Sequence, residues 1–174
     1  MDRRAFATSM FAGAVGLAAA PALAQPGYAP GAMPMGEPER RHAMETLLVG
    51  AVALETSRLA LSRANRPLVR QFADFEAEES TTVAQIIGEL TGMAPPPPPP
   101  AERRMIDRLA RARGGAFDRE YLIGQLAGHQ RLLAVQDSYL ASGRNRHHRH
   151  IAMLARGRIR EHIRELQLLQ TSRL

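Results

Sequence analysis

Residues Phe117–Leu140 read FDREYLIGQLAGHQRLLAVQDSYL, and this stretch is the basis on which we predict the fold of the chain. Its large apolar residues recur at the spacing of an α-helix. They are Phe117, Leu122, Leu126, Leu132, Leu133 and Leu140. Three polar residues, Gln125, His129 and Gln136, fall on the same face. Because leucines flank His129 about one turn away on either side, we expect its imidazole to point into the protein, where it needs hydrogen-bonding partners.

Composition indicates one helical domain. The chain has 174 residues, of which 45% are apolar and 5% aromatic, with no Trp. Long segments of helical periodicity, without the alternation typical of strands, predict an all-α protein whose core is mostly Leu, Ile, Ala and Val. The absence of Cys excludes disulfides and thiolate metal sites. The net charge of +6 allows binding to anionic surfaces.

The first 24 residues predict an export signal peptide. Arg3-Arg4 precedes a run of Ala, Gly, Val and Leu, and small residues place a cleavage site near Ala24. The arginine pair resembles a twin-arginine signal, and an ordinary secretory signal is the alternative. We therefore expect a protein of the periplasm or the cell envelope, with no transmembrane span in the mature chain.

The rest of the chain predicts an antiparallel, up-down-up-down four-helix bundle. A disordered lead-in is expected at residues 25–38, followed by a helical domain at residues 39–174. The long helices are expected at about residues 39–64, 67–91, 117–142 and 151–171. A crossover over residues 91–116 contains the six prolines Pro95–Pro100 and a short bridging helix near residues 101–113.

Each long helix carries an ionisable residue within its apolar stripe, which predicts a polar cluster in the core. The candidate metal ligands are Glu55, Glu76, Glu79, His129, His162 and Glu165. Distances counted from the connecting turns place most of these side chains within about two helical turns of one another in height. Carboxylates and imidazoles that converge in a helical core suit Fe, Mn or Zn. A hydrogen-bond network without metal would use the same residues.

The pattern resembles an exported bacterial family of unknown function with a ferritin-like fold, some members of which are labelled as outer membrane proteins. The resemblance covers residues 40–170. It is carried by Glu55, Val69-x-x-Phe72-Ala73, Glu79, Phe117-Asp118-x-x-Tyr121-x7-His129 and His162. Many relatives have Asp-His where this chain has Glu79-Ser80, so one candidate ligand is missing. The resemblance implies a ferritin-like four-helix domain.

Two basic segments offer an alternative function. Arginines line one side of residues 101–113, and residues 144–150 read RNRHHRH. We interpret the second segment as a solvated turn; a surface metal site at its histidines or contact with phosphates is the alternative. Both segments are candidate surfaces for anionic lipid, polysaccharide or a protein partner of the envelope.

Three functions follow from these observations. The leading hypothesis is a non-catalytic, ferritin-like envelope protein whose core cluster binds a transition metal. A metal oxidase or metal-storage enzyme would use the same six residues, and an envelope binding module would use the basic segments. No nucleophile–base pair, phosphate-binding loop or base-stacking aromatic patch supports a hydrolase, a kinase or a nucleic-acid-binding protein.

Overall fold

The computed structural model describes residues 35–172, and this part of the chain contains helices and no strand. The helices are α1 (Glu37–Arg63), α2 (Pro67–Thr91), α3 (Pro100–Arg111), α4 (Gly114–Ser142) and α5 (Arg146–Thr171). The all-α prediction is therefore confirmed. The proposed export signal at residues 1–24 and most of the lead-in lie outside the described residues.

Capping explains why two helices start earlier than their hydrophobic patterns indicate. The Glu39 carboxylate accepts a hydrogen bond of 3.0 Å from the backbone amide of Gly36, so α1 begins at Glu37. At α5, the side chain of Asn145 accepts hydrogen bonds from the amides two and three residues further on. This cap starts α5 at Arg146, within the basic segment that we interpreted as a turn.

A buried carboxylate fixes the turn between α1 and α2 against α4. The two oxygens of Asp118 accept hydrogen bonds from the backbone amides of Asn65 and Arg66, at 2.8 and 3.0 Å. Pro67 then opens α2, where its missing N–H costs nothing. The sequence motif that begins with Phe117-Asp118 thus positions two helices relative to a third.

The largest hydrophobic cluster receives residues from all five helices. It comprises Ala60, Ala64, Val69, Phe72, Ala73, Leu109, Phe117, Tyr121, Leu122, Leu166 and Leu169. A second cluster contains Ala43, Leu47 and Ile87. Along α2, Glu76 lies between Phe72 of the first cluster and Ile87 of the second. Helix α1 packs against α2 and α4, and α4 packs against α5, so this region is enclosed by helices.

The crossover places an amphipathic helix against α1 and α4. Its apolar residues Ile106 and Leu109 are buried, and its Arg103 donates a hydrogen bond of 2.7 Å to Glu55 of α1. Before it, Gly92 ends α2 with a φ of 70°, a conformation that glycine adopts without steric cost. Within residues 35–172, no helix combines the length and the apolar character that a membrane span requires.

Candidate metal centre

Three buried side chains from three helices meet in the interior. Glu76 belongs to α2, His129 to α4 and His162 to α5, and their side chains are between 2% and 5% exposed. Three atoms lie 3.1 Å from one another: Glu76 Oε2, His129 Nε2 and His162 Nδ1. We call this arrangement the Glu76 triad.

Local helix patterns explain why the triad is buried. His162 lies three residues after Ile159 and four before Leu166, both of which are buried on the same face of α5. The ring of Phe72 packs against both imidazoles, with centroid separations of 6.1 Å from His129 and 5.2 Å from His162. The triad therefore borders the largest hydrophobic cluster, where a polar group must find its partners inside the protein.

Neighbouring groups orient the first two members of the triad. His129 Nδ1 lies 2.8 Å from the carbonyl oxygen of Gln125, and because a carbonyl only accepts, this nitrogen carries a proton. A neutral His129 therefore directs the lone pair of Nε2 toward the other two atoms. The hydroxyl of Ser80 donates to Glu76 Oε1 at 2.8 Å, which leaves Oε2 to the two histidines.

The electrostatics of the triad favour a carboxylate beside a protonated imidazole when only protons are present. Burial alone would raise the pKa of Glu76, but hydrogen bonds from His129, His162 and Ser80 outweigh it and lower the pKa to about 2. Burial alone would lower the pKa of His129, whereas its hydrogen bond with Glu76 raises it above the usual value. The triad thus holds a buried negative charge that a cation must compensate.

The spacing of the triad also fits a single transition-metal ion. Two ligand atoms about 2.1 Å from one ion lie about 3.0 Å apart at octahedral angles and about 3.4 Å apart at tetrahedral angles. The observed separations of 3.1 Å fall between these values. Within residues 35–172, this is the one group of three or more His, Asp or Glu residues with suitable spacing. Two imidazoles and one carboxylate form a ligand set used by iron, manganese and zinc.

Glu79 lies next to the triad without being part of it. Its Oε2 is 3.6 Å from His162 Nε2, the imidazole nitrogen that faces away from the triad. The same oxygen accepts a hydrogen bond of 3.0 Å from Arg158 Nε, and the side chain is 29% exposed. Glu79 therefore stands where a carboxylate can orient a metal-bound histidine through its second nitrogen.

The structure places the other two candidate ligands at the surface, so the expectation that they share the core face is wrong. Glu55 forms a half-exposed ion pair with Arg103 of α3. Val52, one turn before Glu55, lines a surface pocket together with Met105 of α3, whereas Leu47 and Gly50 of α1 line the cavity beside Glu76 and His129. Glu165 is exposed because it lies one residue before the buried Leu166, a rotation of about 100° around α5.

A second buried polar cluster escaped the sequence analysis. His42 Nδ1 lies 3.3 Å from His148 Nδ1, and His42 Nε2 lies 2.8 Å from Gln136 Oε1. Burial lowers the pKa of both histidines. The solvated-turn interpretation of residues 144–150 is therefore wrong for His148, which is 1% exposed. The expected burial of His129 is confirmed, and Gln125 and Gln136, which the sequence places on the same face, are buried as well.

These features define an all-α protein with a buried triad of two histidines and one glutamate. A family model described as a domain of unknown function (DUF4142) matches residues 24–169. Because the match covers most of the chain, the protein belongs to this family. No curated protein and no solved structure gives a significant match.

Proposed function

We propose that this protein binds one transition-metal ion at the Glu76 triad and acts as a metal-binding protein of the bacterial envelope. Its ligands are Glu76 Oε2, His129 Nε2 and His162 Nδ1, and Fe, Mn and Zn are the candidate metals. We propose that its fold is an antiparallel four-helix, ferritin-like bundle. We also propose that the signal at residues 1–24 directs export of the protein. The mutual packing of the long helices and the charged, small-residue pattern of the signal support these two parts of the proposal.

One observation carries the metal assignment. Three potential ligand atoms are buried at mutual distances of 3.1 Å, and the Gln125 carbonyl fixes the tautomer of His129 that exposes a lone pair to the other two. A hydrogen bond from the second nitrogen of a ligating histidine is a regular feature of metal sites. A buried hydrogen bond with a purely structural role would need only one donor atom and one acceptor atom, whereas here three potential ligand atoms converge.

In this proposal, the metal takes the place of the proton that His129 carries beside Glu76. Because the pKa of His129 is raised, protons compete with the metal up to a pH above the usual histidine range. The apparent metal affinity should therefore rise with pH until His129 has lost its proton. Binding should release about one proton per ion at a pH below the pKa of His129.

The arrangement favours one ion over the two-metal centre of an oxidase or storage enzyme. Di-metal carboxylate sites in helical bundles use four glutamates and two histidines. Here Glu55 and Glu165 are turned to the surface, and Glu79 is engaged by Arg158. A single carboxylate within the triad supports a mononuclear site.

The basic segments support a structural role for several of their side chains. Arg103 pairs with Glu55, and Arg149 donates to the carbonyl oxygens of Leu140 and Gly143 at the end of α4. These contacts use part of the positive charge to join helices. We therefore prefer the metal-binding proposal to an envelope module that works through arginine alone.

The proposal is tested by thermal unfolding and elemental analysis of the purified protein. Wild type should bind one equivalent of Zn²⁺, Mn²⁺ or Fe²⁺ and should melt at a higher temperature with metal than with chelator, because the folded state binds the ion more tightly. His129→Leu should bind no metal and show no such difference. Glu165→Leu is the matched control on the surface and should behave like wild type. Identical melting of wild type with metal and with chelator, together with no bound metal, would exclude the proposal.

A further inference from the structure

A small pocket borders the Glu76 triad. It has a volume of about 40 Å³ and is lined by both Glu76 and His129. Apolar side chains form most of its wall, including Leu47, Val83 and Ile159. A water molecule needs about 10–15 Å³ on this measure, so the pocket has room for about three atoms of that size.

A glycine keeps this space open. Gly50 lies in the interior of α1 and lines the pocket, and a Cβ atom built on it would meet no atom within 4 Å. Close packing therefore does not require glycine here, and glycine in a helix interior lowers stability relative to alanine. The sequence thus retains a destabilising residue at a position of α1 that lines the pocket.

The wall of the pocket also carries a hydroxyl group that can donate a hydrogen bond. Thr46 Oγ1 accepts a hydrogen bond of 3.2 Å from Gln136 Nε2 and has no acceptor for its own proton among residues 35–172. Both Thr46 and Gln136 line the pocket. A ligand in the pocket would therefore meet a polar group in addition to the triad within a largely apolar wall, an arrangement typical of small-molecule sites.

A route from solvent leads to the pocket between α2 and α5. Glu79, Val83 and Ala155 line both the pocket and an open groove on the outer surface between these helices. The ion pair of Glu79 with Arg158 lies at this junction, and both side chains are partly exposed. The groove is therefore the candidate path by which a small molecule would reach the triad.

We propose that the pocket admits a ligand of two or three non-hydrogen atoms to an open coordination position of the metal held by the Glu76 triad. This inference rests on the proposed function, because the ligand binds to the metal. Three protein ligands leave positions for exogenous groups on an ion that prefers four or more. The volume excludes organic substrates, and the apolar wall favours small ligands of low charge. The step is coordination alone, with no bond broken and no electron transferred.

Azide binding to the cobalt-loaded protein tests this inference. Co²⁺ substitutes for the candidate metals and has visible absorption bands that change when a ligand enters its coordination sphere. Azide should shift these bands in wild type. Gly50→Leu should retain one equivalent of Co²⁺ and lose the azide response, because the leucine fills the pocket. Gly115→Leu is the matched control, since Gly115 is an exposed glycine of α4 that lines neither the pocket nor the groove, and its added Cβ also meets no atom within 4 Å. This control should respond like wild type.

The outcomes separate the inference from the proposed function. Wild type that binds no Co²⁺ would overturn both. Wild type that binds Co²⁺ at the triad without any azide response would overturn the pocket inference alone. An azide response that survives in Gly50→Leu would also overturn it, because the ligand would then reach the metal without using the pocket. Gly50→Ala provides a second variant if the leucine disturbs folding, and it should weaken azide binding while raising the melting temperature.

Discussion

Replacing Glu76 by Gln tests the buried charge of the triad directly. The substitution keeps the size of the side chain and removes its negative charge. Hydrogen bonding lowers the pKa of Glu76 from 4.5 to about 2 despite its burial. At about 1.4 kcal/mol for each unit of pKa, the charged form stabilises the folded metal-free protein by about 3 kcal/mol relative to the neutral form. For a domain of this size, the loss corresponds to a fall in melting temperature of about 10 °C.

The lowered pKa of Glu76 also predicts how the effect of the substitution on the unfolding free energy changes with pH. A carboxyl group whose pKa is lowered by folding contributes stability above the pKa of the unfolded chain and loses that contribution as the pH falls toward the folded value. The difference in unfolding free energy between wild type and Glu76→Gln should therefore be largest at neutral pH. It should shrink between pH 4.5 and about pH 2, where wild type itself becomes neutral at this position.

Chemical denaturation in the presence of chelator measures both effects. Glu55→Gln is the matched control, because Glu55 is half-exposed and pairs with Arg103 at the surface. Exposed pairs contribute at most about 1 kcal/mol. A loss in Glu76→Gln no larger than that of Glu55→Gln, or a loss that stays constant from neutral pH to acid, would refute the reasoning.

Three further predictions concern other parts of the molecule. Asp118→Ala should lower the unfolding free energy by about 1–3 kcal/mol, measured by denaturation, because two backbone amides of the α1–α2 turn lose their acceptor; an unchanged unfolding free energy in this variant would contradict the prediction. Glu79→Gln should weaken metal binding about 10–100-fold in calorimetry at unchanged stoichiometry, since it no longer orients His162 as a charged acceptor; unchanged affinity would count against that role. Because burial lowers the pKa of His148, this residue destabilises the fold as the pH falls below 6.5. His148→Leu should therefore lose less stability between pH 6.5 and pH 5 than wild type, and an equal loss would disprove it.

The sequence predicted the helices because their signals are local. Apolar spacing and breakers such as Pro67 and Gly92 lie on the same short segments that they organise. The ends of α1 and α5 were missed because Glu39 and Asn145 cap them with side chains, and these caps do not follow hydrophobic periodicity. His148 was missed for the same reason: it lies in a run of basic residues that indicates an exposed turn, yet the first turn of α5 buries it.

The triad was only partly predictable. Counting residues from the turns correctly brought Glu76, His129 and His162 to similar heights, because helical rise is constant. The rotation of α1 could not be found in this way, because its buried face includes small residues such as Ala53 and Ser57, whereas the larger Leu48 and Val52 are only partly buried and line a pocket with α3. Glu55 accordingly points away from the triad, toward Arg103.

The central claim is that one metal ion is held by Glu76, His129 and His162. Anomalous diffraction from a crystal of the zinc-loaded protein locates the ion directly. The account predicts one buried peak about 2.0–2.2 Å from Glu76 Oε2, His129 Nε2 and His162 Nδ1. A peak bound elsewhere, or an unoccupied triad at saturating Zn²⁺, would contradict it.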